Sequence, residues 1–260
     1  RRSLAWRLAD GYGGTGALSM WLSRCLTKWG PEMGARQIET ETVSVWHNGY
    51  KMTFTGLRND HITAVMRSGA IYEADLLQEI LERYGKGGYY VDFGAFIGTH
   101  SVFFAKVCGA DRVTSVEANP LAFHLLAMNL YENDCTQVEA LPVAAGREAA
   151  RVRMERTGSN GGNWTPVPVE HARDSVPMIR SGALITAKPK LIKIDCEAAT
   201  LDVLYGARDE IRKWKPVLVI EAEYGRQFDG INAILTQMEG YKSTGTFCAT
   251  PTHIYEPNDE

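Results

Sequence analysis

From residue 89 onward, short apolar runs alternate with longer stretches that carry both apolar and polar residues. The apolar runs are predicted to be strands, at 89–92, 112–116, 137–143, 191–195 and 216–221. Helices are predicted between and after them, at 99–107, 120–132, 200–213 and 229–239. The near-continuous apolar character of the last two strands is typical of parallel strands that are buried on both faces. The alternation therefore predicts an α/β fold with a doubly wound, mostly parallel sheet.

The chain before residue 87 has a different pattern. Residues 42–55 alternate between apolar and polar side chains around Asn48-Gly49, which is the signature of a β-hairpin. Apolar residues then recur at helical spacing over 71–84, and the glycine-rich segment 85–88 ends that helix. We therefore divide the chain into an N-terminal extension of helices and a hairpin, 1–86, and an α/β domain, 87–260.

Net charge and cysteine content limit which binding partners and which cellular compartment we expect. The 260 residues carry a formal net charge of −3, so no global basic field favours nucleic-acid binding. The five cysteines lie far apart without a C-x-x-C motif, which argues against a disulfide framework and favours a cytoplasmic location. No apolar run reaches the roughly 18 residues that a membrane span needs.

The segment Y-Y-V-D-F-G-A-F-I-G-T-H at 89–100 is the first candidate ligand loop. In open α/β sheets, ligands bind at the carboxyl ends of strands, where Asp92 and this loop lie. A phosphate-binding P-loop is excluded because no lysine follows the glycines. A dinucleotide loop is disfavoured because Phe96 and Thr99 stand where it needs glycines. The remaining pattern, D-x-G-x-x-x-G, forms a tight turn without a phosphate cradle and suits S-adenosylmethionine.

Glu117 ends the next predicted strand, about twenty residues after Gly98. A carboxylate at this place can accept hydrogen bonds from both hydroxyls of a ribose. Enzymes that bind NAD share this requirement, and a carboxylate that only caps a strand end is the simpler alternative.

Several motifs together resemble one family. They are D-F-G-A-F-I-G-T-H, V-E-A-N-P, L-L-A-M-N-L-Y-E-N, L-I-K-I-D-C-E-A-A-T-L-D-V-L-Y-G-A and K-P-V-L-V-I-E. They resemble the FkbM family of S-adenosylmethionine-dependent methyltransferases, over roughly residues 70 to 245. The resemblance implies the Rossmann-like fold of class I methyltransferases. It also implies O-methylation of a hydroxyl on a sugar, a glycan or a natural product.

The chain departs from the family pattern at three positions. Phe96 replaces the usual asparagine, Ala198 replaces a glycine and Thr200 replaces the second glutamate, whereas Asp195 and Glu197 are kept. The substrate therefore cannot be carried over from the family.

The predicted cofactor site combines the strand ends with the start of the preceding helix. Tyr72 and Glu73 are expected to close over the cofactor, with helix capping by Glu73 as the alternative. Val143 and Ala144 are expected to form part of the adenine slot. The full predicted set is Tyr72, Glu73, Asp92, Gly94, Ala95, Phe96, Gly98, Glu117, Ala118, Asn119, Val143, Ala144 and Asp195.

The predicted catalytic chemistry rests on carboxylates. Asp195 and Glu197 are expected to orient the acceptor or to act as its general base. Glu221 and Glu223 follow the next strand and are expected to contact the substrate in the same cleft. If both strands stay extended, alternation places each pair of carboxylates on one side. Four carboxylates with a diol substrate are also compatible with Mg²⁺, although the spacing does not demand a metal.

Two further residues complete the predicted site. His100 begins the helix after the glycine loop, where its charged form is disfavoured, so it is a candidate neutral base; a simple hydrogen-bonded histidine is the alternative. Asn160 lies in the glycine-rich loop 158–164 and is a candidate substrate contact, although such loops are often plain surface connections.

Other functions stay open on the sequence. An RNA or DNA methyltransferase lacks support because neither an N-P-P-Y motif nor a Pro-Cys motif is present. A non-catalytic module that binds S-adenosylmethionine is kept in view by the three departures. The tryptophan-rich N-terminal extension has three candidate roles: packing on the core, homodimerisation, or covering the acceptor site.

Overall fold

The computed structural model describes residues 38–157, 162–170 and 175–258. Its strands are β1 Thr40–His47, β2 Tyr50–Leu57, β3 Tyr89–Phe93, β4 Arg112–Val116, β5 Val138–Leu141, β6 Ala144–Gly146, β7 Ala150–Arg156, β8 Trp164–Pro168, β9 Val176–Arg180, β10 Leu191–Ile194, β11 Val217–Glu221, β12 Tyr241–Phe247 and β13 Thr252–Pro257. Its α-helices are α1 His61–Arg67, α2 Ala74–Tyr84, α3 Thr99–Lys106, α4 Pro120–Glu132, α5 Thr200–Gly206, α6 Arg208–Trp214 and α7 Arg226–Ala233. No helix in these ranges is long and apolar enough to cross a membrane.

A seven-stranded sheet forms the centre of the protein, in the order β12-β13-β11-β10-β3-β4-β5. The five strands from β11 to β5 are parallel, and β13 pairs antiparallel with both β11 and β12. Every residue of β3 and β10 is buried, as their apolar sequences predict for central strands covered on both faces. The prediction of a doubly wound, mostly parallel α/β sheet is confirmed.

The two halves of the sheet diverge at β3 and β10. From β3 the chain proceeds to β4 and β5 on one side, and from β10 it proceeds to β11 on the other. This reversal opens a crevice beyond the carboxyl ends of β3 and β10, which is where open α/β sheets bind ligands. The chain turns sharply there at Gly94, which has φ +77°.

The predicted hairpin is present as β1 and β2, joined at Asn48-Gly49. Its inner face packs in the same hydrophobic cluster as the helices after β3 and β4, through Val45, Met52 and Phe54. Residues 38–86 thus share a core with the α/β sheet, and the division of the chain near residue 86 stays a prediction from sequence.

Two asparagines on α4 bind the free edge of β2. Asn129 accepts a hydrogen bond from the Thr55 N–H at 2.7 Å and donates to the Thr55 carbonyl at 3.0 Å. Asn133 makes the same pair of bonds with Thr53, at 3.0 and 2.6 Å. Asn129 also donates to the carbonyl of Ile97 at 2.8 Å. The hairpin, the helix and the glycine loop are thereby held in one network.

Some predicted elements are divided in the structure. The strand predicted at 137–143 ends at residue 141, and β6 then joins β7, β8 and β9 in a separate four-stranded sheet. The helix predicted at 200–213 is interrupted at Ala207. The helix predicted at 229–239 begins earlier, at Arg226, and finishes as a π-helical turn over Ile234–Met238. The spacing of hydrophobic residues in the sequence cannot predict these changes, because they are local changes in backbone hydrogen bonding.

The backbone at Gly94 lies so close to the backbone at Asp195 that only a glycine fits there. A Cβ at Gly94 would lie 1.7 Å from the Asp195 carbonyl oxygen, whereas a Cβ at Gly49, with a similar φ of +81°, would meet nothing within 4 Å. We expect Gly49→Ala to cost about 1–2 kcal/mol from backbone conformation alone. Gly94→Ala should cost at least about 2 kcal/mol more, because the backbones must separate.

Urea unfolding of the two variants separates these effects. Equal losses of stability would show that the Gly94–Asp195 contact does not constrain the fold.

Candidate active site

A cavity of about 430 Å³ lies in the crevice at the carboxyl ends of the central strands. Its floor comes from the segments after β3, β4, β10 and β11. Its sides come from the start of α1, from Tyr72, and from β7 and β8 of the second sheet. Its size is within the usual range of small-molecule sites.

The structure brings most of the predicted site residues together around this cavity. Those that line it are Tyr72, Gly94, Phe96, Glu117, Ala118, Asn119, Val143, Ala144, Asp195, Glu197, Glu221 and Glu223. Those that lie outside its lining are Glu73, Asp92, Ala95, Gly98 and His100. Asn160 falls outside the described residues.

The glycine loop holds an unusual backbone conformation at Phe96. Its φ of +47° lies in the left-handed region, which asparagine tolerates better than a bulky residue does. This conformation gives a physical reason for the asparagine that the resemblance implies at this position. The Phe96 ring packs against the main hydrophobic cluster and also lines the cavity. Phe96 therefore contacts both the hydrophobic core and the cavity.

Glu117 lies at the end of β4 and connects two segments of the site. Its Oε2 accepts a hydrogen bond from the Phe96 N–H at 2.8 Å, and its Oε1 accepts one from the Asn119 N–H at 2.6 Å. Burial raises the pKa of Glu117 to about 7, against the lowering effect of these two hydrogen bonds. The carboxyl group is thus fixed in place, with oxygen lone pairs left for a ligand hydroxyl.

A buried lysine, which the sequence analysis missed, organises the centre of the site. Lys193 Nζ lies 3.3 Å from Asp92 Oδ1 and 3.2 Å from Asp195 Oδ2, and donates to the Gly94 carbonyl at 3.3 Å. Asp92 is fully buried, and Ser101 Oγ donates to its other oxygen at 2.6 Å. Burial favours a neutral amine, but Asp195 and Asp92 outweigh it and raise the pKa of Lys193.

The sequence did contain a signal for Lys193. It is a charged residue inside the apolar run L-I-K-I, and a lysine in a strand that is buried on both faces needs an acidic partner.

The alternation of Asp195 and Glu197 was predicted on the condition that the strand stays extended, and the structure does not meet that condition. β10 ends at Ile194, and Glu197 begins a 3₁₀ turn, Glu197–Ala199, with φ +53°. Both carboxylates nevertheless line the cavity. Thr200, a departure from the family pattern, accepts a hydrogen bond from the Cys196 N–H at 3.2 Å and so stabilises the turn.

Glu197 is held at the cavity by two amide side chains. Asn163 donates to Glu197 Oε1 at 3.0 Å, and Gln227 donates to the Glu197 backbone carbonyl at 2.8 Å. Burial and then the charge of Asp195 raise the pKa of Glu197 above its ordinary value, while Asn163 opposes them. The side chain is therefore oriented and also more basic than an exposed glutamate.

Glu221 and Glu223 both line the cavity, but they differ in solvent exposure and in their position relative to β11. β11 ends at Glu221, and Glu223 lies beyond it in an exposed loop position, so alternation along one strand does not relate the two. Burial, and then the nearby charge of Asp195, raise the pKa of Glu221 to about 9. Glu221 is thus protonated at neutral pH and can donate a hydrogen bond into the cavity.

Glu73 and His100 form a buried contact behind the site. His100 Nε2 lies 3.0 Å from Glu73 Oε2, and both side chains are less than one-tenth exposed. Burial would raise the pKa of Glu73, but the contact with His100 and the charge of Lys193 hold it below its usual value. Glu73 precedes α2 with φ +56° and makes no capping hydrogen bond through its side chain. The pair therefore joins α2 to α3 and does not face the cavity.

Further lining residues come from segments without a recognisable motif. Asp60, His61 and Ile62 contribute from the start of α1, and Met154, Trp164 and Pro166 contribute from the second sheet. They lie far from the central motifs in sequence, so only tertiary packing reveals them. His61 also contacts Tyr72 edge-on, with ring centroids 6.1 Å apart.

The charge of the cavity lining is one-sided. Among the described residues that line it there are six carboxylates, Asp60, Glu117, Asp195, Glu197, Glu221 and Glu223, and no lysine or arginine. In the same part of the chain, no three His, Cys, Asp or Glu side chains are grouped so that they could hold a metal ion. The Mg²⁺ alternative therefore gains no support.

The raised pKa of Glu221 has a consequence for stability. Because the folded protein keeps this proton that the unfolded chain releases near pH 4.5, the free energy of unfolding should fall as pH rises from about 4.5 toward 9. Glu221→Gln should flatten this decline by at least about 1.4 kcal/mol, the equivalent of one pKa unit.

Denaturant unfolding at a series of pH values measures the slope, with Glu223→Gln at the exposed neighbouring carboxylate as the matched control. If the free energy of unfolding falls with pH as steeply in Glu221→Gln as in the unmodified protein, the pKa of Glu221 is not raised.

Comparison with known proteins agrees with this geometry. Residues 92–243 match the family model described as Methyltransferase FkbM domain. Among solved structures, the chain is similar to methyltransferase FkbM from Methylobacillus flagellatus KT, with 24% identity and a TM-score of 0.51, over 65% of this chain and 43% of that protein. No curated protein matches the sequence significantly.

A second solved structure shares the fold at lower identity. It is the T. thermophilus 16S rRNA N2 G1207 methyltransferase in complex with AdoMet and guanosine, with 15% identity and a TM-score of 0.50, over 85% of this chain and 51% of that protein. The chain thus matches about half, or less, of the length of these two proteins. Both likenesses support the Rossmann-like fold of class I methyltransferases. Since the family model matches more than half of the residues, the chain belongs to the FkbM methyltransferase domain family.

Proposed function

We propose that the protein is an S-adenosylmethionine-dependent O-methyltransferase that acts on a hydroxyl of a small molecule or glycan. The observation that carries this proposal is the acidic cavity at the switch point of the sheet, with Glu117 at the end of β4. S-adenosylmethionine has a sulfonium and an ammonium group and no phosphate. A lining of carboxylates without lysine or arginine fits such a cation and disfavours nucleotide cofactors.

The residues present fit this cofactor in three parts. Glu117 is oriented to accept hydrogen bonds from the ribose hydroxyls. Val143 and Ala144, with Met154 from the second sheet, supply apolar walls for adenine. Asp195 supplies a carboxylate near the glycine loop for the amino-acid tail, and Lys193 fixes its position.

When bound, S-adenosylmethionine supplies a methyl group that its sulfonium already activates. The protein then has to position the acceptor and remove one proton from its hydroxyl. Glu197 is the best base, because burial raises its pKa above the ordinary value of a glutamate and two amide contacts hold it. Glu221 in its protonated form donates to an acceptor oxygen and orients it.

The acidic lining of the cavity also indicates which kind of acceptor can bind there. A phosphate-rich acceptor such as RNA would need basic side chains to contact its backbone. The described lining has none. This favours an uncharged, hydroxyl-bearing acceptor over the RNA alternative.

Calorimetry with S-adenosylhomocysteine tests the cofactor. We expect the protein to bind it with a dissociation constant on the order of micromolar and not to bind NAD. Glu117→Ala should weaken binding about tenfold or more, because the ribose hydroxyls lose their acceptor. Glu132→Ala, an exposed glutamate at the end of α4 that does not line the cavity, is the matched control.

If the unmodified protein does not bind S-adenosylhomocysteine, the proposal that it is an S-adenosylmethionine-dependent methyltransferase is wrong.

Transfer of a labelled methyl group to a panel of methyl glycosides and hydroxylated natural products tests the base. Glu197→Gln should lower kcat by roughly 10²–10⁴-fold, because the amide cannot take the hydroxyl proton, and should leave S-adenosylhomocysteine affinity unchanged. Asp202→Gln, which replaces an acid on the surface of α5 outside the cavity, should behave like the unmodified protein. Full turnover in Glu197→Gln would show that another group takes the proton.

A further inference from the structure

We propose that Asn129 is a positioning residue for the cofactor, because it holds the glycine loop, residues 94–98, to the N-terminal hairpin. The hairpin is then a functional part of the cofactor site. This role rests on the proposed binding of S-adenosylmethionine at the glycine loop. It involves a segment that the family match does not cover, since β1 and β2 lie within residues 40–57 and the match spans residues 92–243.

The glycine loop does not keep its shape through local backbone preference alone. Gly94, Phe96 and Gly98 all have positive φ, at +77°, +47° and +89°. A bulky residue such as Phe96 keeps this conformation only where the surrounding structure fixes it. Gly94 and Phe96 also line the cavity. Contacts from outside the loop must therefore hold the backbone that the cofactor meets.

The central sheet holds the first half of the loop. The N–H groups of Gly94 and Ala95 donate to the Val116 carbonyl at 3.0 and 3.1 Å. The Phe96 N–H donates to Glu117 at the end of β4. These hydrogen bonds fix the start of the loop relative to β4.

Helix α4 holds the second half of the loop. Asn129 donates to the Ile97 carbonyl at 2.8 Å. A Cβ at Gly98 would lie 2.6 Å from Leu126 Cδ1, so the loop backbone lies directly against this helix. Asn129 is only 1% exposed and Ile97 is fully buried. Loss of their hydrogen bond would leave a buried carbonyl without this donor, which costs more than the loss of a hydrogen bond in water.

The amide of Asn129 binds the hairpin at the same time. Its oxygen accepts from the Thr55 N–H, and its nitrogen donates to the Thr55 carbonyl and to the Ile97 carbonyl. Both N–H donors of the amide are thus in use. Because one small planar group makes all three hydrogen bonds, a shift of the hairpin edge changes the bond to the glycine loop.

Asn133 provides an internal comparison, because it differs from Asn129 in one partner. It makes the same pair of hydrogen bonds with Thr53, and its other donation goes to the Asn129 backbone carbonyl at 2.7 Å. Asn133 is also buried, at 3% exposed. Replacement of either asparagine by alanine removes three side-chain hydrogen bonds, but only Asn129→Ala removes one to the glycine loop.

Calorimetry with S-adenosylhomocysteine on the whole chain tests this role. We expect Asn129→Ala to weaken binding about fivefold to tenfold, because the second half of the glycine loop loses its hydrogen bond to α4. Asn133→Ala is the matched control and should bind like the unmodified protein, although both variants should unfold at lower urea concentrations. The titrations are made at a temperature at which urea unfolding shows that both variants are folded.

Amide hydrogen exchange of the unmodified protein, followed by NMR, is a second test that needs no substitution. Coupling between two sites is reciprocal, so the cofactor must also stabilise the hairpin edge that Asn129 binds. S-adenosylhomocysteine should slow exchange of the Thr55 N–H about fivefold or more relative to its effect on the Thr53 N–H. This measurement also decides the question if Asn129→Ala does not fold.

The outcomes distinguish this inference from the methyltransferase proposal. If the unmodified protein binds S-adenosylhomocysteine but Asn129→Ala binds it no more weakly than Asn133→Ala does, Asn129 only stabilises the fold. Equal slowing of exchange at Thr55 and Thr53 leads to the same conclusion. Either result overturns the inference and leaves the methyltransferase proposal standing. If the unmodified protein does not bind S-adenosylhomocysteine, the methyltransferase proposal is wrong and the inference falls with it.

Discussion

The ion pairs of Lys193 are the constraint on which the site depends. A lysine in a strand whose residues are all buried needs partners, and Lys193 finds them in Asp92 on the neighbouring strand and in Asp195 just past its own strand. Removing one partner of such a buried cluster typically costs 3–5 kcal/mol, because the remaining charge stays buried and unpaired. Lys193 also donates to the Gly94 carbonyl, so the two loops that meet at the switch point are held to the same ammonium group.

This arrangement explains how an acidic cavity can be stable. Six carboxylates line it, and they would repel one another if all were ionised and free. Lys193 forms an ion pair with Asp195 and so compensates its charge. Glu117 accepts hydrogen bonds from two backbone N–H groups, and Glu221 keeps its proton at neutral pH. The cavity thus stays polar and negative at some positions and neutral at others, which is a suitable setting for a cationic cofactor beside a neutral hydroxyl.

The sequence predicted a doubly wound, mostly parallel sheet. It also predicted most of the residues on the cavity floor, because residues at the ends of parallel strands must meet at one edge of the sheet. Gly94, Glu117 and Glu197 could be found in this way. The remaining residues could not, since His61, Met154 and Trp164 reach the cavity from segments whose place depends on long-range packing. Periodicity also could not show that β10 ends before Asp195 or that His100 turns toward Glu73, because both depend on local backbone geometry and buried partners.

The asparagines of α4 have one more consequence. A two-stranded hairpin normally leaves an open edge of N–H and C=O groups, onto which another chain can add a strand. Here Asn129 and Asn133 satisfy both backbone groups of Thr55 and Thr53, so a helix closes that edge through its side chains. The protein gains protection against intermolecular β-sheet growth at this edge without a third strand, and two amide groups provide it.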